Sequence, residues 1–267
     1  MCLLFIVGFL KITFRIMKKR IGILGAMAEE INGIISLLEN IKKVERGMRT
    51  YYSGEINDVE VVVVFSRWGK VASATTVTHL IVEFGITQLI FTGVAGAISQ
   101  NLNIGDIVIA NSLIQHDLDA RPIMKQFEIP LLGKTVLLPS NELVEASFKV
   151  VSELVENDVL IDLLSVKQQN IFSLSDQKVV LGQIASGDKF FSSNIEKENL
   201  LAILPDVLCV EMEGAAVAQV CFEYNIPYVI IRTISDVANE NSAVDFSVFV
   251  SQVASKFGIE IIRKIIT

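Results

Sequence analysis

The sequence predicts an α/β protein, one domain built on a central, largely parallel sheet flanked by helices on both faces. Three observations carry that prediction. Short runs rich in Val, Ile and Leu alternate with longer stretches of helical periodicity. Several of the short runs read as strands buried on both faces, as in a sheet covered by helices. No linker, repeat or low-complexity tract interrupts the 267 residues, a length that α/β folds reach as one unit.

The elements follow in order. Residues 21–26 read as a buried strand, and 29–39 as a helix with Ile31, Ile34, Ile35 and Leu38 on one face. Residues 49–56 and 59–66 read as a hairpin turning at Asn57-Asp58. Residues 70–84 are helical and stop at Gly85, where a glycine just past a helix belongs. A buried strand at 88–92 is closed by Gly93-Val94-Ala95-Gly96, and another strand covers 106–115. Residues 120–140 hold three of the five prolines and form the long irregular segment. A helix at 141–157, strands at 178–185 and 206–211, a helix at 214–224, a strand at 228–235 and a closing helix at 245–265 complete the chain.

The first residues differ from the rest. Cys2 to Leu10 is an apolar run followed by Lys11, Arg15 and Lys18-Lys19-Arg20. A signal peptide places its positive charge before the apolar run and small residues after it, and neither is present. The run is also far shorter than the ~20 residues that cross a bilayer. Residues 1–16 are therefore read as an extension ahead of a start at Met17, with the domain at 17–267. Membrane association is expected only through residues 1–16, and the alternative is an exported or surface-anchored chain.

Apolar residues make up 51% of the chain and charged ones 20%, which excludes a disordered protein. A net charge of −7, with no basic block beyond Lys18-Lys19-Arg20, argues against a nucleic-acid partner. Cys2, Cys209 and Cys221 form no zinc spacing and read as buried thiols. Gly22, Gly25 and Gly33 have the wrong spacing for a dinucleotide fingerprint. His79, in mid-helix, reads as structural. His116 lies near Asp117 and Asp119, but two histidines with no His-x-His or His-x3-His spacing point to no metal site.

In parallel sheets ligands sit beyond the carboxyl ends of the strands. That rule selects residues 25–30, 93–96, 186–188 and 235–236, with 211–213 at a further strand end. Acidic side chains recur there: Glu30, Asp188, Glu211, Glu213 and Asp236. A carboxylate in such a place also serves as a helix cap or first-turn anion, and Glu29 and Asp188 are read that way. Several carboxylates converging on one crevice raise one another's pKa and suit acid/base work, one kept protonated and another ionised.

Residues 22–30 resemble the opening of the methylthioadenosine/S-adenosylhomocysteine nucleosidases. So do Thr92-Gly93-Val94-Ala95-Gly96, Ser186-Gly187-Asp188-Lys189-Phe190, Val210-Glu211-Met212-Glu213 and residues 232–238, in matching order and spacing from about Lys19 onward. The resemblance implies a single-domain, nucleoside-phosphorylase-like α/β fold and a cytoplasmic homodimer without cofactor. It also implies hydrolysis of the N-glycosidic bond of methylthioadenosine and S-adenosylhomocysteine, extending to 5′-deoxyadenosine. Adenine would be released, in methionine salvage and activated-methyl-cycle detoxification.

Carried over position by position, the family's chemistry makes Asp236 the acid that protonates adenine at N7, oriented by Ser235. Glu30 deprotonates the attacking water. Glu213 binds ribose hydroxyls with the backbone at Met212, and Arg232 helps fix the water and the Glu30 carboxylate. Phe190 stacks on adenine, while the main chain of Phe191 reads its polar edge. Gly96 lets the backbone approach the ligand, and Phe246 lines the 5′-alkylthio pocket with residues 120–123 of a second subunit. Three positions depart from the family pattern: Val94 stands where many relatives have serine, Trp68 replaces a smaller apolar residue, and residues 120–130 differ. Ile123 and Phe127 have no core role by periodicity and are expected to complete a neighbouring site.

Two alternatives belong to other classes. A phosphorolytic purine nucleoside phosphorylase needs a cationic or amide-rich cradle, and Glu30 would repel phosphate there. A surface-displayed adhesion protein on the same fold would use residues 1–16 and local lysines.

Overall fold

The central strand is β1 (Arg20–Gly25), which pairs in parallel with β4 (Val59–Phe65) on one side and β5 (Gln88–Ala97) on the other. The chain is described by a computed structural model that covers residues 19–174, 176–238 and 242–267, with the backbone alone for Glu30 and 242–245. The expected extension at 1–16 lies outside the described residues.

Beyond β5 the sheet curls. β5 runs parallel to β10 (Tyr228–Asp236), and β10 runs antiparallel to β6 (Ile107–Gln115). β6, β8 (Val179–Ser186) and β9 (Val207–Glu211) are parallel neighbours. β9 then returns to β5 through an antiparallel pairing of Gly96 with Val210. Strands β5, β10, β6, β8 and β9 thus form a closed ring, while β4, β3 (Arg49–Ile56) and β2 (Glu39–Arg46) extend the sheet to an open antiparallel edge. A short strand, β7 (Val136–Leu137), pairs with β6.

Side-chain alternation along β1 sends Ile21 and Ile23 to one core and Leu24 to the other. The first core is covered by α1 (Ala28–Ile35), α3 (Asn141–Glu156) and α8 (Ser255–Ile265), through Ile34, Val151 and Phe257. The second is covered by α2 (Lys70–Val82) and α6 (Gly214–Glu223), through Leu80 and Val217. Both faces are covered, as the unbroken apolar runs require.

The structure departs from the sequence reading where local signals mislead. The helix expected over 29–39 ends at Ile35, and Glu39 begins β2, a strand with charged residues on both faces and almost no burial. Such a strand has no apolar alternation to find, and its charges protect an exposed edge. The 93–96 stretch does not close β5: the strand runs through to Ala97, because the ring closure at Gly96 gives it a partner. Helices α4 (Val166–Phe172) and α5 (Asn194–Ile203), both capped by serines, were not expected. The closing helix is three pieces, α7 (Ser242–Phe249), a π-helical turn at Val250–Ala254, and α8. Phe127 has a core role after all, packing against the cluster of Ile98, Ile114 and Phe191, whereas Ile123 is 86% exposed.

Candidate active site

β10 is buried along its whole length and delivers Asp236 at its end. Its register against β5 slips between Ile234 and Asp236, a bulge that turns the last side chain out of the ladder. The Asp236 carboxyl, 2% exposed, accepts the Ala238 N–H at Oδ1 (2.9 Å) and the Ser235 hydroxyl at Oδ2 (2.9 Å). A Cβ at position 96 would stand 3.0 Å from Asp236 Oδ1, so the neighbouring strand carries glycine where the carboxyl must fit.

The ends of β9 and β10 are locked by a buried ion pair. Arg232 Nη2 donates to Glu211 Oε2 at 2.7 Å, with both side chains almost fully buried. The guanidinium lies 3.9 Å over the Phe91 ring, and Nη1 reaches the carbonyls of Ile231 and Phe91. Glu211 also accepts the Gly214 N–H (2.8 Å) at the start of α6 and the Ser186 hydroxyl. An anion at that helix end is stabilised by the dipole as well as by the arginine. Among the described residues the Arg232 Nε–H is buried without a hydrogen-bond partner.

Glu213, 5% exposed, accepts the Gly69 N–H at 2.8 Å from the loop ahead of α2. That loop carries Trp68, 59% exposed, whose ring meets Phe246 edge-on at 6.5 Å; Phe246 meets Phe190 edge-on at 5.7 Å. Together these residues line a cavity of about 650 Å³. Its lining brings together Trp68, Gly96, Phe190, Met212, Glu213, Arg232, Ser235, Asp236 and Phe246, with Val94 among them. Phe191 does not contribute its side chain to the lining: it is 8% exposed and packs edge-on against His116 at 5.3 Å. The backbone places position 30 in the first turn of α1, beyond the end of β1, and the Glu30 side chain lies outside the described residues.

Several neighbours were not legible as site residues. Asp188 caps a helix, but not one that follows it in the chain: α5 takes its cap from Ser193, while Asp188 Oδ1 accepts the N–H of Lys70, the first residue of α2. Asp117 and Lys70 pair at 2.6 Å beside it. Burial alone would raise the Asp117 carboxyl, but the Lys70 ammonium and the Asp188 N–H outweigh it and hold the group below its usual range. Burial pushes the His116 imidazole down, toward the neutral form. Cys209 and Cys221 are buried thiols pushed upward by desolvation, as read from their apolar runs.

A second cavity, about 700 Å³, opens among Asn103, Phe172, Asp176 and Val237. Asp176 is its one titratable group among the described lining residues, so it lacks the convergent carboxyls of the first. Among the described residues no group of three His, Cys, Asp or Glu could hold a metal ion, and no helix is long and apolar enough to cross a membrane.

Known proteins resemble this arrangement throughout. The profile of the phosphorylase superfamily matches residues 20–267. An aminodeoxyfutalosine nucleosidase from Helicobacter pylori is 34% identical over 247 residues, covering 90% of this chain and 96% of that protein. A 5′-methylthioadenosine/S-adenosylhomocysteine nucleosidase from Desulfotalea psychrophila is 36% identical over 226 residues, 85% of this chain and 88% of that one. The solved structure of such a nucleosidase from S. pneumoniae, with a transition-state inhibitor, superposes with a TM-score of 0.78 at 32% identity, covering 92% of this chain and 98% of that chain.

Proposed function

Starting from the premise that the chain belongs to the phosphorylase superfamily, among its nucleosidases, we propose that it hydrolyses the N-glycosidic bond of 5′-methylthioadenosine and S-adenosylhomocysteine to release adenine. One observation carries the chemistry: a carboxyl, Asp236, held at 2% exposure by two donors on the wall of a cavity that also presents Glu213 and an aromatic ring. Asp236 protonates adenine at N7 as the ribosyl carbon becomes cationic, so the base leaves neutral. Ser235 and the Ala238 N–H fix the orientation of that carboxyl. Phe190 stacks on the purine, at little entropic cost for a two-torsion side chain. Glu213, with the backbone at Met212, takes the ribose hydroxyls, and the main chain at Phe191 takes the polar edge of the base. The carboxylates around the sugar stabilise its developing positive charge.

Glu30 acts as the base toward water. The buried Nε–H of Arg232 supports a role for that residue in holding the water, because an unmet buried donor costs ~1–3 kcal/mol unless a ligand meets it. Hydrolysis rather than phosphorolysis fits the charges: Arg232 is the cation among the described lining residues, and Glu211 neutralises it at 2.7 Å. Adenine release on methylthioadenosine, S-adenosylhomocysteine and 5′-deoxyadenosine, with and without phosphate, tests this. Equal rates and free 5-methylthioribose are expected; a sugar 1-phosphate as the main product would overturn hydrolysis.

Aminodeoxyfutalosine is a second substrate to include. The relative named for it aligns over 247 residues, covering 90% of this chain. The enzyme acts in the cytoplasm as a homodimer. The exposed large apolar side chains Ile123, Val71 and Trp68 support a subunit contact. Light scattering should give twice the chain mass.

A further inference from the structure

A closed ring of hydrogen bonds sits behind Glu213 and takes no part in the chemistry above. Lys70 Nζ donates to Asp117 Oδ1 at 2.6 Å and to Gln115 Oε1 at 3.2 Å. The other oxygen of Asp117 accepts the Asp188 N–H at 2.9 Å, and Asp188 Oδ1 accepts the Lys70 N–H at 2.8 Å. The ring therefore runs from the Lys70 ammonium through Asp117 and Asp188 back to the Lys70 backbone. It ties together the first residue of α2, the chain beyond β6 and the chain beyond β8. One peptide earlier, the Gly69 N–H points at Glu213 Oε1, 2.8 Å away.

The geometry of Gly69 depends on this ring. Its φ is +90°, a conformation that favours glycine, and a Cβ there would lie 2.9 Å from Asp188 Oδ1. Beyond its carbonyl's bond to the Ser73 N–H, no local side chain holds such a backbone in place: Gly69 caps α2 without a side-chain hydrogen bond, and the first turn of α2 has no acidic residue. Asp188 supplies that missing anion from across the site, and the Lys70–Asp117 pair holds Asp188 where it can do so. Charge-assisted hydrogen bonds of this kind are short and directional, and the two charged side chains are more than half buried.

We propose that Lys70, Asp117 and Asp188 form a positioning device for ribose recognition, in which the ring aims the Gly69 N–H so that it fixes the Glu213 carboxylate toward the sugar hydroxyls. The proposal rests on the reading of Glu213 as the ribose-binding carboxylate. None of the three ring residues lines the cavity. Losing the Lys70 ammonium frees Asp117 and Asp188 to repel each other, and the peptide at Gly69 loses its reference. Glu213 then binds the hydroxyls in a wider spread of orientations, which weakens its hold on the sugar without altering the acid at Asp236.

The test compares substrates as well as variants. Adenine release is measured on 5′-methylthioadenosine and on its 2′-deoxy and 3′-deoxy analogues, for the full chain and for Lys70→Met, Asp117→Asn and Glu213→Gln. Lys70→Met and Asp117→Asn should raise KM for methylthioadenosine about tenfold, the scale of one charged hydrogen bond, with kcat changed far less. The effect should shrink to within about twofold on the analogue that lacks the hydroxyl held by Glu213, as expected for coupled groups. Lys70→Arg should recover most of the loss. Asp117 is the more exposed partner, so Asp117→Asn carries the test if Lys70→Met fails to fold. A loss of the same size on all three substrates, or no loss, overturns the device. Glu213→Gln separates the two layers. If its loss vanishes on a deoxy analogue while that of Lys70→Met does not, the ring proposal fails and the ribose reading stands. If the Glu213→Gln loss is equal on all three, the ribose reading fails and the proposal falls with it.

Discussion

The strand-borne wall of the cavity and its loop-borne rim hold their polar groups by different means. In the wall, Asp236, Glu211 and Arg232 sit on β9 and β10, where the sheet ladder sets each backbone position and every side chain is buried. Their hydrogen bonds reach adjoining strands, the next residues in the chain or, between Arg232 and Glu211, across the ring of strands. In the rim, Trp68, Phe190 and Phe246 stand on segments between elements or on α7 and are held by edge-on ring pairs, while the Gly69 N–H beside Trp68 holds Glu213. A ladder cannot be retuned without moving a strand, whereas a rim contact changes with one residue. Chemistry on the wall and substrate selection on the rim is the division expected from that difference.

Four substitutions or conditions sharpen this contrast. Arg232→Met should do the most damage, because it leaves the Glu211 carboxylate buried beside no cation. Breaking a buried pair on one side costs ~3–5 kcal/mol, which urea unfolding would read directly. A loss under about 1 kcal/mol would mean that Gly214 and Ser186 suffice to hold Glu211. Asp236→Asn keeps the shape of the wall but removes an acidic proton, so turnover should fall by ~10²-fold or more with the midpoint of unfolding little changed. Near-normal turnover on methylthioadenosine would place the acid elsewhere.

The rim should answer more quietly. Trp68→Ala removes an exposed ring and one edge-on contact, worth about 0.5–1.5 kcal/mol, so KM should rise a few-fold. Stability should fall by no more than that contact, under ~1.5 kcal/mol, and the ranking of 5′ substituents should shift. An unchanged ranking would remove Trp68 from substrate selection.

Acid should act on the groups behind the cavity in two steps. The His116 imidazole is held below its ordinary 6.5 by burial, so its contribution to stability is complete above that pH and is lost as pH falls beneath it. Asp117 is held below its ordinary 3.8, so the Lys70 pairing is complete above that value and lost as pH falls through the lowered one. Thermal unfolding followed from pH 8 downward should show a mild decline beginning near 6.5 and a steeper one below about 4. A flat profile through the first window would leave His116 outside the pH response.

Much of this architecture was legible without coordinates. The buried runs at 21–26, 106–115, 178–185 and 228–235 all became strands of the central sheet, since an unbroken apolar run bounded by turn residues has few other uses. The rule that ligands sit beyond strand ends selected Gly96, Glu213, Ser235 and Asp236, and the structure brings all four to one cavity. Strand β2 escaped because both of its faces are charged, and α4 and α5 escaped because short helices give little periodicity to count.

By itself, then, the sequence determined most of the strands and helices and which carboxyls stand at their ends, because periodicity and turn chemistry act between near neighbours. The tertiary structure decided which of these groups meet. Gly69 meets Glu213 across 144 positions and Lys70 meets Asp188 across 118, while Arg232 takes Glu211 as its partner. The ring closure of β5 and β9 and the bulge that turns Asp236 are likewise absent from any local pattern. Such pairings depend on how the sheet curls, since burial makes each charged group find a partner among whatever the fold brings within ~3 Å.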